Sequence, residues 1–328
     1  MKIAMIGTGF IVPVTLQALA QINSITVTSI FARPHSIEKG RKIAADHAIP
    51  TVYTDYAQLL AEDDCDFVYI ANINKVHFEY AKQALEAGKN VVLEKPSCVQ
   101  AAQIKTLAEL AEAKHLYIFE AVTSLHNPNF HHIQEDMKTI GQIKVVQCNY
   151  SQYSSRYNAY KEHIVKPALD PKCYGGALMD INIYNLNVIV SLFGKPQSVR
   201  YLANIGFNGV DTSGTVIMRY PDFYALATGA KDSESPGHVT IQGDLGYIDM
   251  KSPTNAFSYY DLYYNETKKA TRHAYNQYEH RMVHEFLEFE EVFRNKDYDT
   301  MRHWLQTSIE VMEVVDAAAA DAHLFEDL

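Results

Sequence analysis

Cysteine is scarce: four stand in 328 residues, at positions 65, 98, 148 and 173, with no C-x-x-C pair among them. A disulfide framework or a zinc knuckle is therefore not expected, and reduced thiols fit a cytoplasmic setting. With 15 glycines and 11 prolines, the chain has too little of either for collagen-like or low-complexity sequence. No uninterrupted apolar run approaches the ~18 residues that suggest a membrane-spanning helix. The opening Met1-Lys2-Ile3-Ala4-Met5-Ile6-Gly7 turns to glycine before a signal-peptide apolar core could form, so a soluble, intracellular protein is expected. Basic charge is also short: 29 lysines and arginines face 39 acidic residues, a formal net charge of −10. Such a surface repels phosphate backbones and anionic lipid, which argues against nucleic acid and membrane as partners. A local basic pocket for one anionic ligand stays compatible with it.

What is plentiful is apolar material, 47% of the chain, enough to exclude disorder. The length suggests two domains. Over residues 1–120, apolar runs of strand length at 2–7, 25–32, 66–71, 90–93 and 116–119 alternate with helix-patterned stretches near 11–21, 36–47, 55–62, 76–88 and 99–114. That alternation predicts a doubly wound parallel sheet with helices on both faces. Runs such as Phe67-Val68-Tyr69-Ile70 lack polar alternation, as expected of strands buried on both sides. Composition then shifts: 17 of 22 tyrosines and 10 of 14 histidines lie in 121–328. A helix-like run over 176–193, strand-like segments to about 264 and helical stretches near 276–295 and 299–320 predict an α+β domain on a large, mostly antiparallel open sheet.

Directly after the first strand stands Gly7-Thr8-Gly9-Phe10-Ile11-Val12. The first glycine permits a tight turn and the second lets the backbone approach a pyrophosphate, with the free N–H groups of a helix start just beyond. Val12 takes the place of the third glycine of the usual pattern. The next strand ends Phe31-Ala32-Arg33-Pro34, where a cofactor with a free ribose 2′-hydroxyl usually meets an acid. Ala32 removes the carboxylate and Arg33 supplies a guanidinium suited to a 2′-phosphate, so NADP(H) is expected ahead of NAD(H).

The run at 90–93 leads into Glu94-Lys95-Pro96. With the glycine turn, this resembles the Gfo/Idh/MocA family of NAD(P)-dependent oxidoreductases, and with Phe119-Glu120-Ala121 the chain is most similar to its dihydrodiol/xylose dehydrogenase branch. Ala71-Asn72-Ile73-Asn74-Lys75-Val76-His77 is similar to the family's strand-end segment, and Phe119-Glu120-Ala121 to the start of its second domain. Gly175-Gly176-Ala177-Leu178-Met179-Asp180-Ile181-Asn182-Ile183-Tyr184 resembles its Gly-Gly-x-x-x-Asp-x-Gly-x-His/Tyr helix, with Asn182 in place of the glycine. The resemblance implies a Rossmann domain over 1–120, and a substrate-binding and oligomerisation domain over 121–328. It implies cofactor contacts from Gly7, Thr8, Gly9, Phe10, Ile11, Ala32, Arg33, Ala71, Asn72, Asn74, His77, Glu94 and Lys95.

Moving a hydride to or from a carbinol carbon also moves a proton on its oxygen. By resemblance, Lys95, Asp180 and Tyr184 converge on the substrate oxygen. Asp180 and Tyr184, four apart on an expected helix, share one face. A free tyrosine titrates near ~10, and a neighbouring ammonium brings that down. Tyr184 is thus the expected proton carrier with Lys95 as electrostatic partner, and Lys95 as direct acid/base is the alternative. Asp180 would orient Lys95 or accept a substrate hydroxyl. Arg156 and Tyr157, in a hydroxyl-rich stretch after a strand, are candidate substrate contacts. His126, His131 and His132 lack an acidic partner at ligand spacing, so no metal is expected. The function expected is NADP(H)-dependent oxidoreduction of a sugar, polyol or related cyclic alcohol or carbonyl; the alternative is a non-catalytic NAD(P)-binding regulator on the same fold. Aromatics on the second domain's strands, among them Tyr201, Phe207, Tyr220 and Tyr224, predict a sheet face that builds a homodimer or homotetramer.

Overall fold

The apolar runs of the first 121 residues fold as six parallel strands in a computed structural model that describes residues 1–326. In chain order these elements are β1 (Lys2–Ile6), α1 (Ile11–Leu19), β2 (Thr26–Phe31), α2 (Ile37–Asp46), β3 (Thr51–Tyr53), α3 (Tyr56–Glu62), β4 (Phe67–Ile70), α4 (His77–Glu86), β5 (Asn90–Glu94), α5 (Ala101–Lys114) and β6 (Ile118–Ala121). The order across the sheet is β3-β2-β1-β4-β5-β6, that of a doubly wound dinucleotide-binding fold. Strand β3 is not among the expected strands, since its three residues are too few to show a period. The β1 residues Ile3–Ile6 and all of β4 are buried, as strands covered by helices on both faces must be.

The second half supplies α6 (Pro128–Asp136), β7 (Ile143–Ser151), α7 (Tyr157–Lys161), α8 (Ile183–Phe193) and strands β8 (Ser198–Ile205), β9 (Asp211–Arg219), β10 (Tyr224–Ala230), β11 (His238–Gly243), β12 (Gly246–Met250), β13 (Tyr260–Tyr264) and β14 (Lys269–His273). These eight strands order as β14-β13-β12-β11-β7-β10-β9-β8. Only β10 and β7 run parallel; the other pairs are antiparallel. Alternate residues Val146, Cys148, Val216, Met218, Ala225 and Ala227 are buried on one face, the face on which α8 packs. The helical stretch Pro171–Phe193 is long and apolar enough to cross a membrane by length and composition. Yet 78% of its most apolar 18-residue window is buried, which makes it the core helix of this sheet.

The expected boundary needs correction. Met1–Ala121 form one compact unit together with His280–Ile309, and Val122–Glu279 form the other with the chain from Glu310 on. The reason is aromatic packing within the first unit. On α9 (Met282–Arg294), Phe289 stacks on Phe119 of β6 at 4.6 Å and 2°, and Phe293 meets Phe67 edge-on at 4.9 Å. Trp304, on α10 (Tyr298–Asp321), adds a further ring against Phe119 at 5.9 Å. Two expected surface aromatics also prove to be core: Tyr201 and Tyr220 are each 3% exposed. Tyr201 turns inward to donate to Asp211 at 2.7 Å.

Candidate functional site

The strand order of the first unit reverses between β1 and β4, and open α/β sheets take their ligands at the carboxyl ends beside such a point. A cavity of about 260 Å³ lies there, lined by Gly7, Thr8 and Gly9 after β1 and by Ala71, Asn72 and Ile73 after β4. Gly7 has φ +120°, and a Cβ on it would stand 2.6 Å from Asn72 Oδ1 and 2.9 Å from the Ala71 carbonyl. Only glycine allows the turn to press so closely on β4. Asn72 Nδ2 is buried without a hydrogen-bond partner, a donor that an acceptor on a bound group would satisfy. The first turn of α1 carries no acidic residue, so its free N–H groups favour an anion. These features fit a dinucleotide.

Beyond β2 the cavity is lined by Arg33, His35, Ser36 and Lys39 and by no carboxylate. The one acid nearby in sequence, Glu38, is engaged by Arg41 at 2.8 Å. Two fixed cations with a hydroxyl between them make a cationic mouth in a protein of net charge −10. Arg33 is expected here from the sequence; His35, Ser36 and Lys39 are not. Their signal was readable: basic and hydroxyl residues that continue from the strand end into the first turn of α2. Ala32 does not line the cavity; it is fully buried, its Cβ filling the space a Cβ on Gly40 would need.

Other expected cofactor residues of this unit take different places. Phe10 is 80% exposed ahead of α1, and neither it nor Ile11 lines the cavity. Asn74 sits in a short 3-10 turn leading to α4. His77 is buried, with Nδ1 2.9 Å from the Pro96 carbonyl and Nε2 3.1 Å from that of Asn72. Burial lowers its pKa, against the pull of those two carbonyls, and the ring ties two loops together. Glu94 also points inward: it accepts from the hydroxyl of Tyr69, which also pairs with Thr15 at 3.0 Å. Burial raises the pKa of the Glu94 carboxyl. Lys95 stands half-buried just past β5, before a cis bond to Pro96.

Asp180 and Tyr184 belong to the second unit. They do not share one regular helix: Asp180 lies in a π-turn, Leu178–Asn182, and Tyr184 in the first turn of α8. Such π-turns occur often at functional sites. Gly176, at φ +120°, explains the paired glycines before the turn, since a Cβ there would run into Asp211. Asp211 is fully buried and accepts from the Leu178 N–H at 2.6 Å, which fixes the start of the turn. Burial raises its pKa to about 6. The Asp180 carboxylate is paired with Lys231, a residue the sequence reading does not single out. The Tyr184 ring lies 5.8 Å from that of Tyr150. Arg156 is exposed at the start of α7, and Tyr157 packs between Tyr153 at 5.5 Å and Tyr160 at 5.7 Å. Among the described residues no three histidine, cysteine or acidic side chains are grouped to hold a metal.

A sheet in this order, with a glycine turn and a cationic cavity at its switch point, defines a dinucleotide-binding protein. Residues 1–121 match the model of the oxidoreductase family with an NAD-binding Rossmann fold, and residues 136–249 that of the GFO/IDH/MocA C-terminal domain. The chain belongs to the Gfo/Idh/MocA family and is an oxidoreductase. It is 34% identical over 247 residues to a scyllo-inositol 2-dehydrogenase (NADP(+)) of Bacillus subtilis, covering 75% of each chain. It is 30% identical to a trans-1,2-dihydrobenzene-1,2-diol dehydrogenase of Xenopus tropicalis, covering 70% of this chain and 69% of that one. A 3-ketoreductase from Actinomadura kijaniata, solved with NADP and TDP-benzene, shares the fold at a TM-score of 0.84 and 19% identity, over 98% of this chain and 97% of that one.

Proposed function

We propose that the protein transfers a hydride between NADP(H) and a carbinol or carbonyl carbon of a sugar, polyol or related cyclic alcohol. The observation that carries the cofactor choice is the cationic mouth: Arg33, Ser36 and Lys39, between the end of β2 and the first turn of α2, with no acid lining the cavity. A guanidinium grips a phosphate bidentately, and an ammonium adds a second charge-assisted bond. The Bacillus relative is named for NADP(+) and a cyclic polyol, the Xenopus one for a cyclic diol, which supports the substrate class.

When bound, the nicotinamide supplies or accepts the hydride; the side chains hold the substrate and manage its proton. Gly7, Gly9 and the start of α1 hold the pyrophosphate, and Asn72 Nδ2 donates to the bound dinucleotide. Lys95 donates to the substrate oxygen, and Tyr184 takes or returns the proton. Asp180, paired with Lys231 through one carboxylate oxygen, serves as acceptor for a substrate hydroxyl or as orienting partner of Lys95. Arg156 and Tyr157 are assigned to the substrate's outer part. The four cysteines, none of them in a disulfide, support a reducing, cytoplasmic setting.

Titration of both cofactors tests the reading. NADP⁺ should bind at least about tenfold more tightly than NAD⁺, or about 1.4 kcal/mol, and Arg33→Ala should remove most of that difference. Equal affinities, or a preference for NAD⁺, would contradict it.

We also infer self-association through the sheet face opposite α8. Leu202, Tyr224 and Tyr247 are 67%, 42% and 36% exposed there, among half-buried Val145, Ile217 and Leu226. An apolar face of this kind usually meets a partner.

A further inference from the structure

Asp180 is held by a cation from an unexpected quarter. Lys231 is the first residue past β10, and its ammonium meets Asp180 Oδ2 and donates to the Ala168 carbonyl at 2.7 Å. The pair is lopsided: the Lys231 side chain is 3% exposed and that of Asp180 45%. An ammonium is buried only when its donors are met and its charge is balanced. Lys231 therefore shows almost nothing to a ligand, and the group offered outward is the carboxylate.

The backbone that carries the lysine is fixed as well. Its N–H donates to Thr212 O at 2.8 Å, and its carbonyl accepts from Ser154 N–H at 2.9 Å. The π-turn bearing Asp180 is tied to the same strand by Asn182, the residue that stands where the family has glycine. Asn182 is fully buried; its Nδ2 donates to Ala227 O at 2.9 Å and its Oδ1 accepts from Asn185 at 2.7 Å. Asn185 in turn donates to Thr228 O at 2.8 Å and accepts from Thr254 at 2.7 Å. Turn and strand are thus clamped twice, once by two asparagines and once by the ion pair.

We propose that Lys231 is a positioning residue that holds Asp180 as a fixed acceptor for a hydroxyl next to the reacting carbon, so that the enzyme selects polyols and sugars with a free neighbouring hydroxyl over their deoxy analogues. This rests on the reading of Asp180 as a substrate contact. A carboxylate locked to a buried ammonium is a poor proton acceptor and a good hydrogen-bond acceptor. A site built to bond a hydroxyl rejects the analogue that lacks it, because its own polar group is left unpaired.

The test compares a cyclohexanehexol with the corresponding deoxy cyclohexanepentol, using NADP⁺ and wild type, Asp180→Asn, Lys231→Met, the double variant and Lys231→Arg. Wild type should favour the hexol by about a hundredfold or more in kcat/KM. Each single change should cut that preference about tenfold, and the double variant should lose no more than the worse single one, as expected for groups acting as a unit. Lys231→Arg should restore part of the preference, and NADP⁺ affinity should stay within about twofold throughout. Additive losses, or an unchanged preference in Lys231→Met, would overturn the proposal. A second readout needs no substrate. The Lys231 ammonium should give a slowly exchanging ¹⁵N–H signal, absent in Lys231→Met and lost or broadened in Asp180→Asn. If Asp180→Asn leaves that signal untouched, something else holds the lysine and the proposal fails. If wild type oxidises neither compound, the substrate reading fails and the selection with it, while the signal still decides whether Lys231 holds Asp180.

Discussion

Lys95 and Tyr184 are assigned the proton, and their substitution separates two chemistries. Lys95→Met should leave NADP⁺ affinity nearly unchanged and lower turnover by about 10²–10⁴, or about 3–5 kcal/mol of transition-state stabilisation. Tyr184→Phe should match that loss if the phenol carries the proton, and cost far less if Lys95 is the direct acid. Single-turnover measurement with each variant checks this, and wild-type turnover in Lys95→Met would contradict the assignment. At this scale the sequence was legible where chemistry sits in a short contiguous motif. Gly7-Thr8-Gly9 and Asn72, named from such motifs, line the cavity. It was illegible where a partner is distant: Lys231 reaches Asp180 across 51 positions, and no local pattern marks it. His77 and Glu94 lie within motifs yet are spent on the interior, which a linear pattern cannot distinguish from a ligand contact.

The element with most to reveal is α9. Its Glu285 is fully buried with neither carboxyl oxygen hydrogen-bonded, and burial raises its pKa well above the usual range. A buried carboxyl with no hydrogen bonds is left with its desolvation cost, so Glu285→Leu should raise stability by about 1–3 kcal/mol. A lower denaturation midpoint in that variant would show that the carboxyl has a partner or a role. Glu120 on β6 accepts from Ser97 N–H at 2.8 Å, but its Oε2 is enclosed and unpaired, and burial raises its pKa to about 7 from 4.5. A folded-state pKa above the unfolded one gives stability that is complete below about 4.5 and is lost as pH rises through about 7. The unfolding free energy should therefore fall across that window by up to about 3 kcal/mol, and Glu120→Gln should flatten the decline. An unchanged slope in that variant would remove Glu120 as its source. Elements of ten or so residues with a clear period were readable from the sequence to within a few positions. The three-residue β3 and five-residue α7 were not, because a period needs at least two repeats to show.

For the whole molecule, the chain order suggested a simple division at residue 121, and the structure returns residues 280–309 to the first unit. Alternation of strands and helices marks where a domain begins, but a later helix that comes back to cover its sheet leaves only its aromatics as a signal. The open face of the eight-stranded sheet carries the assembly expectation. Sedimentation at micromolar concentration should show two or four copies, and Leu202→Arg with Tyr224→Glu should shift the population toward one. A wild-type particle of 37.1 kDa would contradict it. The central claim is that a net-acidic protein concentrates positive charge at one cavity in order to work with NADP(H) on polyol-like alcohols. The most direct test is the initial rate of cofactor reduction with a panel of cyclic polyols, dihydrodiols and sugars, run in parallel with NADP⁺ and NAD⁺. Turnover is expected with at least one polyol or diol, at a kcat/KM at least about tenfold higher with NADP⁺, with that preference lost in Arg33→Ala and turnover lost in Lys95→Met. Turnover that is equal or faster with NAD⁺, or none with any alcohol of the panel, would contradict it.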